Sequence, residues 1–186
     1  MKGKQSRLVV YCLTIGLIAA LTMVVTACSS KSKSTPTPTA TAAVTQYQNT
    51  AYKYSINILP GWTVDSSSGI SISINSPELT TYVRITCTSN SGSNLDAYVA
   101  HCMKILKEVS PDYAEQSRTQ VTASGGLPAY LINLTYTKDG AALRSMMLIT
   151  INGNYGYCLV GAATPAEWGE YSSDLASIIN SLTVVR

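Results

Sequence analysis

The sequence contains no phenylalanine, a single histidine and few charges: Asp, Glu, Lys and Arg together make up 12% of its 186 residues. One histidine, His101, cannot supply the multi-histidine ligand sets that hold catalytic zinc. The five cysteines include no Cys-x-x-Cys pair, which argues against a zinc site built on paired thiolates. No Gly-x-Ser-x-Gly elbow, His-Glu-x-x-His helix, phosphate-binding loop or dinucleotide fingerprint occurs. The formal net charge is only +3, and the cations form no patch. Nucleic-acid binding is therefore excluded. A hydrolase would need two acids brought together by folding, because the ten acidic residues are scattered along the chain.

What is present begins at the N-terminus. Lys2, Lys4 and Arg7 precede an uncharged segment, Leu8 to Ala27, which closes as Val25-Thr26-Ala27-Cys28. A charged start, an apolar centre and a small residue before the cut describe a secretory signal. With cysteine immediately after the cut, the segment resembles a bacterial lipoprotein signal. That resemblance implies that Cys28 is diacylated, becomes the new N-terminus and anchors the chain in the membrane. The alternative is a retained anchor, since twenty residues in a helix span about 30 Å. Both readings leave the C-terminal bulk on the extracytoplasmic face of the cell membrane, because the positive cluster stays inside.

Loss of residues 1–27 as signal peptide also changes the charge. Ten basic and ten acidic residues remain, so the mature chain is neutral. Residues 28–46 follow as the lipidated cysteine and a Ser/Thr/Pro spacer with no apolar periodicity, expected to be disordered. Residues 47–186 are long enough to bury a core of their own.

Within that domain the period is first two. Tyr52, Tyr54, Ile56 and Ile58 alternate with polar residues, as do Ile70, Ile72 and Ile74, and then Val83, Ile85 and Cys87. A helix follows, capped by Asn94 or Ser93 and ended by Pro111. Its core stripe is Leu95, Tyr98, Val99, Cys102, Ile105, Leu106 and Val109, with His101, Lys104 and Glu108 opposite. Segments 116–123, 128–137, 143–151 and 155–163 read as a meander turned by Gly125-Gly126, Asp139-Gly140 and Asn152-Gly153. Segment 143–151 is apolar on both faces, which predicts a central strand covered on both sides. Thr164-Pro165-Ala166-Glu167 is a capping box that opens a last helix, facing the core through Trp168, Tyr171, Leu175, Ile178, Ile179 and Leu182. Residues 183–185 add a short edge strand. The order β-β-β-α-β-β-β-β-α predicts an α+β fold, an antiparallel sheet covered by helices.

Tyr52-Lys53-Tyr54-Ser55-Ile56-Asn57-Ile58-Leu59-Pro60-Gly61-Trp62 resembles the opening of PsbP-like domains. The turn and strand at Gly126-Leu127-Pro128-Ala129-Tyr130, segment 155–163 and the closing Ile179-Asn180-Ser181-Leu182 fit the same pattern. The resemblance implies an α/β/α sandwich. No position matches a metal-binding residue of that family, so neither metal nor other cofactor is expected.

Cys87, Cys102 and Cys158 are the thiols of the domain. Their apolar settings favour buried free thiols, although three single disulfide pairings remain open. Twelve tyrosines and two tryptophans supply the aromatic surface. Trp62 with Tyr52 or Tyr54, near the Pro60-Gly61 turn, is the expected binding surface. The expected function is a membrane-tethered, non-catalytic lipoprotein that binds or assembles a protein partner. The alternatives are a small-ligand-binding lipoprotein serving a transporter, and a hydrolase. Oligomeric state is left open.

Overall fold

A computed structural model describes residues 43–89 and 94–185. Cys28, the signal segment, most of the spacer and the alternative cap Ser93 lie outside the described residues.

Seven strands form one antiparallel sheet in the order β3-β4-β5-β9-β8-β7-β6. These strands are β3 (Thr63–Ser68), β4 (Ser71–Asn75), β5 (Tyr82–Ser89), β6 (Ala114–Ala123), β7 (Leu127–Lys138), β8 (Ala141–Asn152) and β9 (Tyr155–Ala163). A separate antiparallel sheet, β1-β2-β10, is made of β1 (Thr45–Asn49), β2 (Tyr54–Ile58) and β10 (Thr183–Val184). The helices are α1 (Leu95–Val109) and α2 (Trp168–Asn180). This is an α+β fold of antiparallel sheets and two helices, as the periodicity predicts.

Three features depart from the expected layout. Among the described residues the first strand, β1, starts at Thr45, two residues inside the segment expected to be spacer. Strand β3, exposed throughout, is an added edge strand that no apolar alternation marks. Strand β2 does not join the large sheet. Its Tyr54, Ile56 and Ile58 enter the α2-side core, while its backbone pairs with β1 and β10.

The large sheet separates two cores. Ile72, Ile74, Val83, Ile85 and Leu159 point to α2 and the small sheet. Ile132, Leu134, Met147, Ile149 and Ala162 point to α1. Strand β8 places Leu148 in the first core and Met147 in the second, so it is covered on both faces. Tight turns set its register. Asp139 (φ 52°) and Gly140 (φ 81°) close the β7–β8 hairpin in the left-handed region that type I′ turns require. The next hairpin pairs Asn152 with Tyr155, so its loop is Gly153-Asn154, one residue later than the sequence suggests.

Helix α1 is capped by Asn94, whose side-chain oxygen accepts from the Ala97 N–H at 2.9 Å. Leu95, Tyr98 and Val99 are buried as expected, and His101, Lys104 and Glu108 are exposed. The C-terminal half differs. Met103 is buried, whereas Ile105 is 46% and Val109 71% exposed. Around α2, the Thr164–Glu167 box forms, with the Thr164 hydroxyl donating to Glu167 at 2.7 Å. Tyr171, Leu175, Ile178 and Ile179 are buried behind it.

Candidate functional site

The expected aromatic surface is not a surface. Tyr54 is 2% exposed and Trp62 7%, and both belong to the α2-side core. Tyr54 meets Tyr157 edge-on at 6.1 Å, and Trp62 meets Tyr171 edge-on at 6.0 Å. Desolvation raises the Tyr54 phenol well above its ordinary range. The Tyr157 phenol is pushed up to about 12, also by burial, and donates to the Tyr52 carbonyl at 2.9 Å. Only Tyr52 stays half-buried, against Tyr155 at 5.8 Å. The reason is parity: Tyr54 shares its strand face with Ile56 and Ile58, and that face is internal.

The open concavity lies on the opposite side of the sheet. Strand β5 presents Val83, Ile85 and Cys87 to the α2 core, so Tyr82, Arg84, Thr86 and Thr88 face the α1 side. That polar row offers little apolar area to hold a helix. Helix α1 accordingly rests mainly on β7 and β8, and touches β9 where the Tyr98 ring lies over Gly156. A groove of about 470 Å³ remains between its C-terminal half and β5. Its walls include Ile105 and Val109 of α1, and its floor includes Met147, Cys158 and Val160.

One end of the groove is polar. The Tyr82 and Tyr136 hydroxyls hydrogen-bond at 3.2 Å. They meet across β9 and β8, a span of about 14 Å for three strand spacings. The row of Tyr82 continues through the small residues Ala162 and Ser145 to Leu134, and Tyr136 stands two residues beyond Leu134 on the same face of β7. Burial, with the Tyr82 hydroxyl adding to it, holds the Tyr136 phenol far above its ordinary range. Lys138 Nζ lies 5.0 Å from the centre of the Tyr82 ring, and the Arg84 guanidinium 5.9 Å. Both cations are exposed and line the groove. Neither enters an ion pair among the described residues, where Arg118–Glu115 is the pair formed. Asp139 also lines this mouth, leaving it one positive charge in excess.

Two thiols meet in the floor. Cys102 of α1 and Cys158 of β9 are half-buried, line the same groove and pack against the same α1-side core. The hydrogen bond from Cys158 holds the Cys102 thiol below its ordinary value. Cys158, which keeps the proton, is pushed well above it. Cys87 lies in the other core, its thiol pushed up to about 12 by burial. All three are free thiols here; Cys87 is buried, as its apolar strand face predicts, whereas Cys102 and Cys158 are only half-buried.

The histidine stands apart. His101 is exposed on α1, 6.5 Å from the Tyr98 ring, and does not line the groove. Among the described residues, no three His, Cys, Asp or Glu side chains converge where a metal ion could sit. Arg84 and Lys138 were not singled out by sequence. Each follows a tyrosine by two residues on a strand, a shared-face spacing that was the available signal.

No protein-family profile and no curated protein matches this sequence. Solved structures do match its shape. The cyanobacterial PsbP of Synechocystis sp. PCC 6803 aligns over 77% of this chain and 94% of its own, with TM-score 0.61 and 12% identity. A protein of unknown function from Pseudomonas aeruginosa aligns over 77% and 97%, with TM-score 0.53 and 15% identity. LpqN of Mycobacterium tuberculosis, described as involved in cell envelope biogenesis, aligns over 72% and 83%, with TM-score 0.55 and 15% identity. The chain has the PsbP-like fold.

Proposed function

We propose that this chain is a non-catalytic binding module, held on the extracytoplasmic face of the membrane through lipidated Cys28. Its binding site is the groove beside α1, and its ligand is an amphiphile with an anionic head. The observation that carries the reading is the pairing of an open apolar trough with two cations that lack ion-pair partners. Apolar side chains would take the tail, while Arg84, Lys138 and the Tyr82 and Tyr136 hydroxyls offer donors to the head. Size favours a small ligand over the protein partner expected from sequence. Thirteen residues line the groove, whereas a stable protein interface uses about 20–30 residues a side. Its volume, about 470 Å³, lies in the range of small-molecule sites. The fold shared with an envelope-biogenesis protein supports the proposed location.

Calorimetric titration with dodecanoate and with dodecyltrimethylammonium tests the site. Dodecanoate should bind about tenfold tighter or more. The double variant R84Q/K138Q should lose that preference, while R118Q, on the far edge strand, should keep it. Equal affinity for the two amphiphiles, or an unchanged double variant, would remove the groove as the site. Arg84 and Lys138 are exposed, so their replacement leaves the core intact, and far-UV circular dichroism checks the fold.

A further inference from the structure

We propose that Cys102 and Cys158 are a redox-active pair that closes to a disulfide across the α1–β9 contact by exchange with a disulfide oxidant. They lie fifty-six positions apart in the chain. The fold nevertheless brings both to one groove, packed against the same core, one on the helix and one on the strand beneath it. Both line the groove, so an oxidant entering it reaches them directly. Cys87 cannot compete. It is buried on the other side of the sheet, with its neighbours in the α2 core.

Cys102 is the attacking sulfur, since the Cys158 thiol donates to it and stabilises its thiolate. The Cys102 thiolate attacks one sulfur of the incoming disulfide, forming a mixed disulfide and releasing the first thiolate. Cys158 loses its proton and attacks the Cys102 sulfur, forming the Sγ–Sγ bond and releasing the second thiolate. The two protons go to water, and the two electrons leave on the oxidant's two sulfurs. The bond draws the sulfurs to about 2.05 Å. It would tie the middle of α1 to the sheet at the base of the groove.

The test uses the full chain, purified reduced in detergent and then exposed, folded, to oxidised glutathione. Digestion without reductant should yield one linked pair of peptides carrying Cys102 and Cys158, two hydrogens lighter than the reduced pair. The oxidised protein should melt about 5–10 °C higher than the reduced one. C158S should trap a single glutathione on Cys102, and should do so faster than C102S acquires one on Cys158. C158A and C102A, matched to the parent by circular dichroism, guard against effects of misfolding. A linked pair containing Cys87 would overturn the proposal, as would peptides that stay unlinked while Cys102 remains open to alkylation. That the oxidised form predominates in cells rests on the extracytoplasmic reading above. Alkylation trapping in intact cells separates the two: a pair that closes in vitro but is reduced in cells supports the chemistry and counts against that location.

Discussion

Gly156 of β9 lies directly beneath the Tyr98 ring of α1, so close that an added Cβ would stand 2.2 Å from the ring carbon Cζ. The ring cannot swing aside cheaply, because the Tyr98 hydroxyl is tied to Thr88 Oγ1 at 2.9 Å. G156A should therefore destabilise the domain by about 3 kcal/mol, the upper end of overpacking costs. At Gly161 the nearest obstacle is the flexible tip of Ile179, at 2.9 Å, and G161A should cost less. Urea unfolding measures both. A G156A midpoint equal to that of the parent would show that α1 is not seated on β9. The tyrosines that replace phenylalanine follow similar logic. Tyr98, Tyr136 and Tyr157 bury their rings yet bring each hydroxyl to a partner. That habit hid the functional surface from sequence, since a tyrosine on a strand serves a core or a pocket equally well.

At the scale of elements, the N-terminus of α2 is fastened by one carboxylate. Glu167 accepts from Thr80 Oγ1 at 2.5 Å and from Thr164 Oγ1 at 2.7 Å, joining the helix start to the β4–β5 connection. The hydrogen bond from Thr80, followed by that from Thr164, holds the Glu167 carboxyl below its ordinary value. A depressed carboxyl contributes stability above its unfolded pKa, and loses it as pH falls through the lower folded value. E167Q should thus melt about 2 °C below the parent at pH 7. The difference should shrink below about pH 4.3 and vanish once both are uncharged. Thermal melts across pH 2.5–7 check this, and a gap independent of pH would assign Glu167 a packing role instead. The capping box was legible because its bonds are local. The uncovered end of α1 was not. Helical periodicity assigns Ile105 and Val109 to the same stripe as Leu95 and Val99, but it cannot report how far the opposing sheet extends. Burial stops where β5 turns a polar face toward the helix.

At the scale of the molecule, a sandwich with one face incompletely covered is joined to an N-terminal segment that ends in Cys28. Metabolic labelling with a radioactive fatty acid should mark the parent and not C28S. A label that survives the substitution would leave residues 8–27 as a retained anchor, and would move the acyl group elsewhere. The sequence by itself determined eight of the ten strands among the described residues, both helices, their caps and most of their turns, since alternation, helical spacing and positive-φ residues act over a few neighbouring positions; the polar β1 and β3 carry no such alternation. It also determined that the residues from Cys28 onward carry equal numbers of acidic and basic groups, and the resemblance at Tyr52–Trp62. Only the tertiary structure decided that β2 leaves the large sheet, that Tyr54 and Trp62 are core, and that Arg84 and Lys138, from β5 and β7, both lie near the Tyr82 ring. Strand order and layer coverage depend on which distant surfaces compete for burial. For the same reason the expectation of an anchor at Cys28 rests on its chain neighbours alone, while the approach of Cys102 and Cys158 emerged only when a helix and a strand met.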